Sequence, residues 1–146
     1  MQELSLKQAN QLIEAALLKA RELEMPPMSV AVLDSGGHLK SCQREDGQAF
    51  LRVQICQAKA WGALALGTNS RLYAKRVEQG GRDEAFFTAL NTMSDGRLIP
   101  LPGGVLIHNS EGEIIGAVGV AGGQSEKDEV CAVAGIEAIG MIADLE

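Results

Sequence analysis

Between residues 116 and 123 the chain reads Gly-Ala-Val-Gly-Val-Ala-Gly-Gly, an apolar run patterned like a strand but interrupted by glycines at 116, 119, 122 and 123. Glycine weakens a strand, because it loses the most backbone freedom on folding and leaves nothing to pack. The run therefore constrains the fold in one way: a ligand, a helix or another subunit must lie against bare main chain here. Pro102-Gly103-Gly104-Val105 and the turn Asn109-Ser110-Glu111-Gly112 precede it.

The remaining elements follow from caps and periodicity. Ser5 with Gln8 makes a capping box, and Leu6, Ala9, Ile13, Ala16, Leu17 and Ala20 repeat at helical spacing, which predicts a helix to about Glu24. Pro26-Pro27 ends it. Met28 to Leu33 alternates as a strand, Asp34-Ser35-Gly36-Gly37 is a turn, and His38 to Arg44 is the return strand. Gln48 to Leu66 reads as a second helix stopped by Gly67, and Ser70 caps a short one from Arg71 to Gln79. Asp83 to Met93 is a further helix or an irregular cover segment. Short strands are expected at Arg97–Leu101, Gly104–His108 and Glu113–Val120, and Ser125 with Asp128 is expected to box the terminal helix. Apolar residues from Val130 to Ala143 exceed what a singly exposed helix needs, which suggests a face for a partner. Direct turns between strands force antiparallel neighbours and exclude an all-parallel sheet.

A length of 146 residues suits one domain, 1–146. The net charge of −6 is spread without a Lys/Arg cluster, which argues against nucleic acid or an anionic membrane as partner. No apolar run approaches the ~20 residues that span a bilayer, and Met1 to Lys7 lacks the pattern of a signal peptide. Cys42, Cys56 and Cys131 are odd in number and form no CxxC pair. They speak against a disulfide framework or structural zinc and fit a reducing cytoplasm. Cys56 and Cys131, among apolar helical neighbours, read as buried thiols, and Cys42 as more exposed.

His38 and His108 are too few for a histidine metal cage, although one neutral imidazole suffices as an axial iron ligand. Gly122-Gly123 leads into a helix N-terminus, where free amides favour an anion, but Glu126, Asp128 and Glu129 already place negative charge there. Asp34, Arg44, Glu45, Asp46 and Lys59 read either as a surface salt-bridge set or as the polar rim of a pocket between the hairpin and the second helix. No GxSxG elbow, GxGxxG unit or P-loop appears.

On five segments the chain resembles the GlcG/HbpS family, also seen as the C-terminal domain of PduO-type proteins. They are Val30 to Leu39, Arg44-Glu45-Asp46-Gly47, Gln57-Ala58-Lys59-Ala60, Pro102-Gly103-Gly104-Val105, and Gly112 to Val120 running into Gly122-Gly123 and Asp128-Glu129. The resemblance implies an α/β (α+β), profilin-like fold: a five-stranded antiparallel sheet with helices packed on it, in the order α-ββ-αα(α)-βββ-α. It also implies a homo-oligomer, haem binding in some relatives, and association with glycolate or diol and glycerol utilisation in others. Leu106 and Ala121 depart from the proline and serine frequent in the family, and Ala121 lacks the hydroxyl that serine would offer a ligand there.

Three readings follow. The first is a non-catalytic cytoplasmic accessory protein that binds haem or a related tetrapyrrole, with iron on His38 or His108 and ligand contacts from Arg44, Lys59, Gly103, Gly104, Gly122 and Gly123. The second is an enzyme or sensor for a small hydroxy acid or diol-derived metabolite, with Arg44 or Lys59 pairing a carboxylate and Asp34 or Asp46 as base. The third is an oligomer-forming protein whose glycine-rich strand is only an interface.

Overall fold

Two hairpins build the sheet. Strands β1 (Ser29–Asp34) and β2 (Leu39–Arg44) form the first, and β3 (Gly104–His108) and β4 (Ile114–Ala121) the second. Antiparallel pairing of β1 with β4 joins them into four strands ordered β2-β1-β4-β3. Helices α1 (Leu6–Glu22) and α5 (Ser125–Ala138) pack together on one face, while α2 (Leu51–Leu66) covers the other. Helices α3 (Ser70–Glu78) and α4 (Gly81–Met93) extend that second layer. This computed structural model describes residues 3–145; Met1 and Gln2, at the start of the stretch read for a leader, and Glu146 lie outside them.

The alternation of large and small side chains along the strands explains the unequal layers. Val30, Val32, Val105, Ile107, Val118 and Val120 point to the α1/α5 side and make the main core with Leu12, Ile13 and Ile136. Ala31, Ala117 and Ala121 point the other way, against Cys56, Ala60 and Ala63 of α2. Removing bulk from both partners lets the helix backbone settle onto the sheet. A Cβ on Gly119 would stand 1.8 Å from the Cys56 carbonyl oxygen, and one on Gly104 would stand 2.1 Å from that of Lys59. What lies against the glycine-rich strand is thus helix α2, and the macrocycle expected there has no room. Terminal helix α5 spends most of its apolar surface on α1, through Cys131, Ala132 and Ile136, with Val130 left half-exposed.

The sheet has four strands among the described residues, not five. Residues 97–101 join no ladder: Pro100 lacks an N–H, the Leu98 amide donates to Asn91 Oδ1 at 2.9 Å, and the Leu98 side chain packs on Tyr73 and Phe87. The outer edge of β3 is closed by other groups. Gly104 and Leu106 donate to Ser70 Oγ and Asn69 Oδ1, both at 2.8 Å, and His108 exchanges two 2.9 Å main-chain bonds with Ile142. Ser70 therefore serves the sheet instead of capping α3, whose N-cap is Asn69.

Local signals account for most boundaries. The Ser5–Gln8 capping box is present with both bonds at 3.0 Å, and Gly67 ends α2 in the left-handed region at φ 68°. Helix α2 starts at Leu51, later than its polar prelude suggests, because buried Gln48 turns inward. Its amide donates to Pro27 O at 3.0 Å and Ala121 O at 2.9 Å, and its carbonyl accepts from Ser29 Oγ. No Ser125–Asp128 box forms; Gln124 is the N-cap, and Asp128 is used elsewhere.

Candidate functional site

Apart from His108, at the end of β3, the candidate residues fall in three separate places. His38 sits on the β1–β2 turn and Arg44 at the far end of β2, six residues along an extended strand and so about 20 Å away. Lys59, Gly103, Gly104, Gly122 and Gly123 cluster inside the protein, between α2 and the N-terminus of α5. No single small ligand spans all three.

The interior cluster is an ion pair. Lys59 and Asp128 are each 1 % exposed. The ammonium donates to Asp128 Oδ2 at 3.1 Å and to the Val120 carbonyl at 2.8 Å, while Asp128 Oδ1 accepts the Gly123 N–H at 3.0 Å. Desolvation pushes the Lys59 ammonium down from its ordinary range, against the pull of the Asp128 charge. It likewise pushes the Asp128 carboxyl up, opposed by Lys59 and the Gly123 amide. Gly103 stands at φ 120° and a Cβ there would lie 2.8 Å from the Val120 carbonyl oxygen, and the Gly104 amide is committed to Ser70. At Gly122 a Cβ would meet the Pro27 carbonyl at 2.6 Å. These contacts correct two expectations: Lys59 is not part of a surface rim, and the Gly123 amide is not free for a ligand carboxylate.

Arg44 donates to the Gln48 carbonyl at 2.6 Å and lines an open depression of about 370 Å³ with Arg21, Gln43, Glu45 and Asp46. Glu45 is itself bound by Arg21 at 3.2 Å and by the Met28 amide at 2.8 Å. The polar rim thus lies between α1 and the hairpin, not between the hairpin and α2.

The turn is the most open of the three. Asp34 Oδ1 accepts the amides of Gly36 and His38, both at 3.0 Å, and stands 3.4 Å from His38 Nδ1. Slight desolvation pushes the Asp34 carboxyl up, but the amide hydrogen bonds from His38 and Gly36 and the adjacent imidazole outweigh it and hold it low. A carboxylate so held is a weak base and a good orienting group. The imidazole is 82 % exposed, with Nδ1 turned to Asp34. It borders a depression of about 180 Å³ lined also by Leu4, Gly36, Lys40 and Ile115. Across the turn, Gly37 and Trp61 line an open groove of about 280 Å³, and the Trp61 ring carries the Arg97 guanidinium at 3.8 Å. His108 differs: its Nδ1 is buried without a hydrogen-bond partner, so a ligand could reach that nitrogen only if its surroundings opened. Among the described residues no group of three or more His, Cys, Asp or Glu is placed to hold a metal ion, and no helix is long and apolar enough to cross a membrane.

Lys40 and the Trp61–Arg97 stack were not singled out from sequence. Lys40 is the extra residue of a β-bulge, since Val32 pairs Ser41 while Leu33 pairs Leu39, and hydrophobic alternation does not reveal a bulge.

A family model described as haem degrading protein HbpS-like matches residues 4–137. The chain is 28 % identical over 138 residues to the corrinoid adenosyltransferase PduO of Citrobacter freundii, covering 94 % of this chain but 39 % of that protein. It therefore spans well under half the length of that relative. It is 40 % identical over 94 residues to protein GlcG of Escherichia coli, covering 64 % of this chain and 63 % of the other. Among solved structures it is similar to the PduOC:heme complex, with a TM-score of 0.84 at 26 % identity over 97 % of this chain and 98 % of that one. The family match runs from Leu4, beside the His38 depression, through both hairpins to Glu137 in α5, and the chain belongs to the HbpS-like family.

Proposed function

We propose that this protein is a non-catalytic accessory protein that binds haem through His38. The carrying observation is the Asp34–His38 pair: a carboxylate fixed by two backbone amides stands 3.4 Å from Nδ1 of a largely exposed imidazole. A histidine that ligates metal commonly directs its second nitrogen to a carboxylate, which sets the tautomer and the ring orientation. Haem iron accepts such an imidazole as axial ligand. Lys40 lies in the same depression as a cation for a propionate. The haem-bound structural relative supports the ligand class.

Haemin titrated into the purified chain is expected to give a saturable Soret shift, and His38→Ala to weaken binding about tenfold or more. A His38→Ala titration that overlays the parent removes this site. The metabolite-enzyme reading is less favoured, because Lys59 is locked to Asp128, Arg44 is committed to Gln48, and Asp34 is held as a weak base.

Association with glycolate or diol and glycerol utilisation, in the cytoplasm, belongs to the same proposal and rests on the likeness to GlcG and PduO. So does self-association. Strand β2 is an open sheet edge, and nearby Leu39, Phe50 and Leu51 are exposed, Phe50 by 80 %. Light scattering is expected to give a multiple of the 15.4 kDa chain mass, and the single-chain mass at micromolar concentration would count against an oligomer.

A further inference from the structure

Cys42 and Cys56, fourteen positions apart in the chain, meet on the α2 face of the sheet. Cys42 pairs across the hairpin with Ala31, and Ala31 pairs with Gly119, the residue onto which α2 presses the Cys56 carbonyl. Cys42, Ala31 and Gly119 thus form one row across three strands with Cys56 over its Gly119 end, and both cysteines pack with Ala31, Ala121 and Ile55. The thiols are not equivalent. Cys42 is half-buried on the open edge strand, whereas Cys56 is buried and its Sγ–H donates to the Val53 carbonyl at 3.2 Å. The neighbouring Cys56 side chain holds the Cys42 thiol down to about 7, against desolvation. The Cys42 partner and then burial push Cys56 far up. Cys131 lies on the opposite face, with its Sγ against Met25 Sδ at 3.5 Å, and burial pushes it up to about 11.

We propose that Cys42 and Cys56 are a peroxide-oxidised thiol pair, with Cys42 the attacking and Cys56 the resolving sulfur, closing to a disulfide that ties β2 to α2. The Cys42 thiolate attacks one oxygen of a hydroperoxide, the O–O bond breaks, and the departing oxygen takes a proton to leave as water or an alcohol. Cys42 is then a sulfenic acid. The Cys56 sulfur attacks the Cys42 sulfur, the S–O bond breaks, and the hydroxyl leaves as water with the Cys56 proton. Two thiols lose two electrons, one peroxide gains them, and a small-molecule thiol returns the pair to the reduced state by exchange.

The test uses the full chain without added haemin, treated with a small excess of hydrogen peroxide. Mass spectrometry is expected to show loss of two hydrogens, non-reducing peptide maps to join the peptides holding Cys42 and Cys56, and Cys131 to stay alkylatable. Cys56→Ser is expected to accumulate a dimedone-trapped sulfenic acid on Cys42. A crosslink involving Cys131, a disulfide between two chains, or full retention of thiols would overturn the assignment. The peptide map is read on the parent chain, so it holds even if a serine variant misfolds.

Discussion

Placing alanine at Gly119 is expected to lower the unfolding free energy by on the order of 3 kcal/mol, a large effect for one methyl group. The added carbon would lie 1.8 Å from the Cys56 carbonyl oxygen and 2.9 Å from the Ala60 amide nitrogen. Both are main-chain atoms in the middle of α2, so no side-chain rotation relieves the overlap. The helix must lift, and its contacts through Ala60 and Ala63 to Leu33, Leu106 and Ala117 open with it. Urea unfolding measures the change directly, through the midpoint at constant slope. A loss below about 1 kcal/mol would mean that α2 is not pressed on the strand.

Lys59→Met should be comparably damaging, at about 3–5 kcal/mol, because it leaves the Asp128 carboxylate buried without its counter-charge. Methionine fills similar volume, so the loss reports charge more than packing. A second change, Asp128→Asn, removes the stranded charge while keeping an acceptor for the Gly123 amide. The double variant is expected to regain at least about half of the loss, as a positive coupling in a double-mutant cycle. Additive losses would show that the two groups do not depend on each other. The pair bridges α2, the end of β4 and the start of α5, so it fixes the glycine corner at 122–123 rather than serving a ligand.

What was legible in the sequence was local. The Ser5 box, the Pro26-Pro27 stop, the Asp34–Gly37 turn and the Gly67 cap each act within a few residues, and the elements they bound are present. The glycine run announced close approach, but its identity as a helix contact depends on Ala60 and Ala63 facing Ala117, which spacing alone does not reveal. Residues 97–101 carry strand-like Leu and Ile, yet tertiary packing of Leu98 and the missing Pro100 donor outweigh them. The Lys59–Asp128 bond closes over 69 positions and left no trace that a pattern of neighbours could record. At the candidate site, His38 and Asp34 were both visible as turn residues, whereas their contact comes from the tightness of the turn that Asp34 itself caps.

The most direct measurement is haemin titration of the parent chain, His38→Ala and His108→Ala, each repeated with added imidazole. Haem held by His38 predicts that only His38→Ala loses the Soret shift, that His108→Ala titrates like the parent, and that imidazole restores the lost spectrum. Loss in His108→Ala with retention in His38→Ala would contradict the account, and so would an unshifted Soret band in the parent.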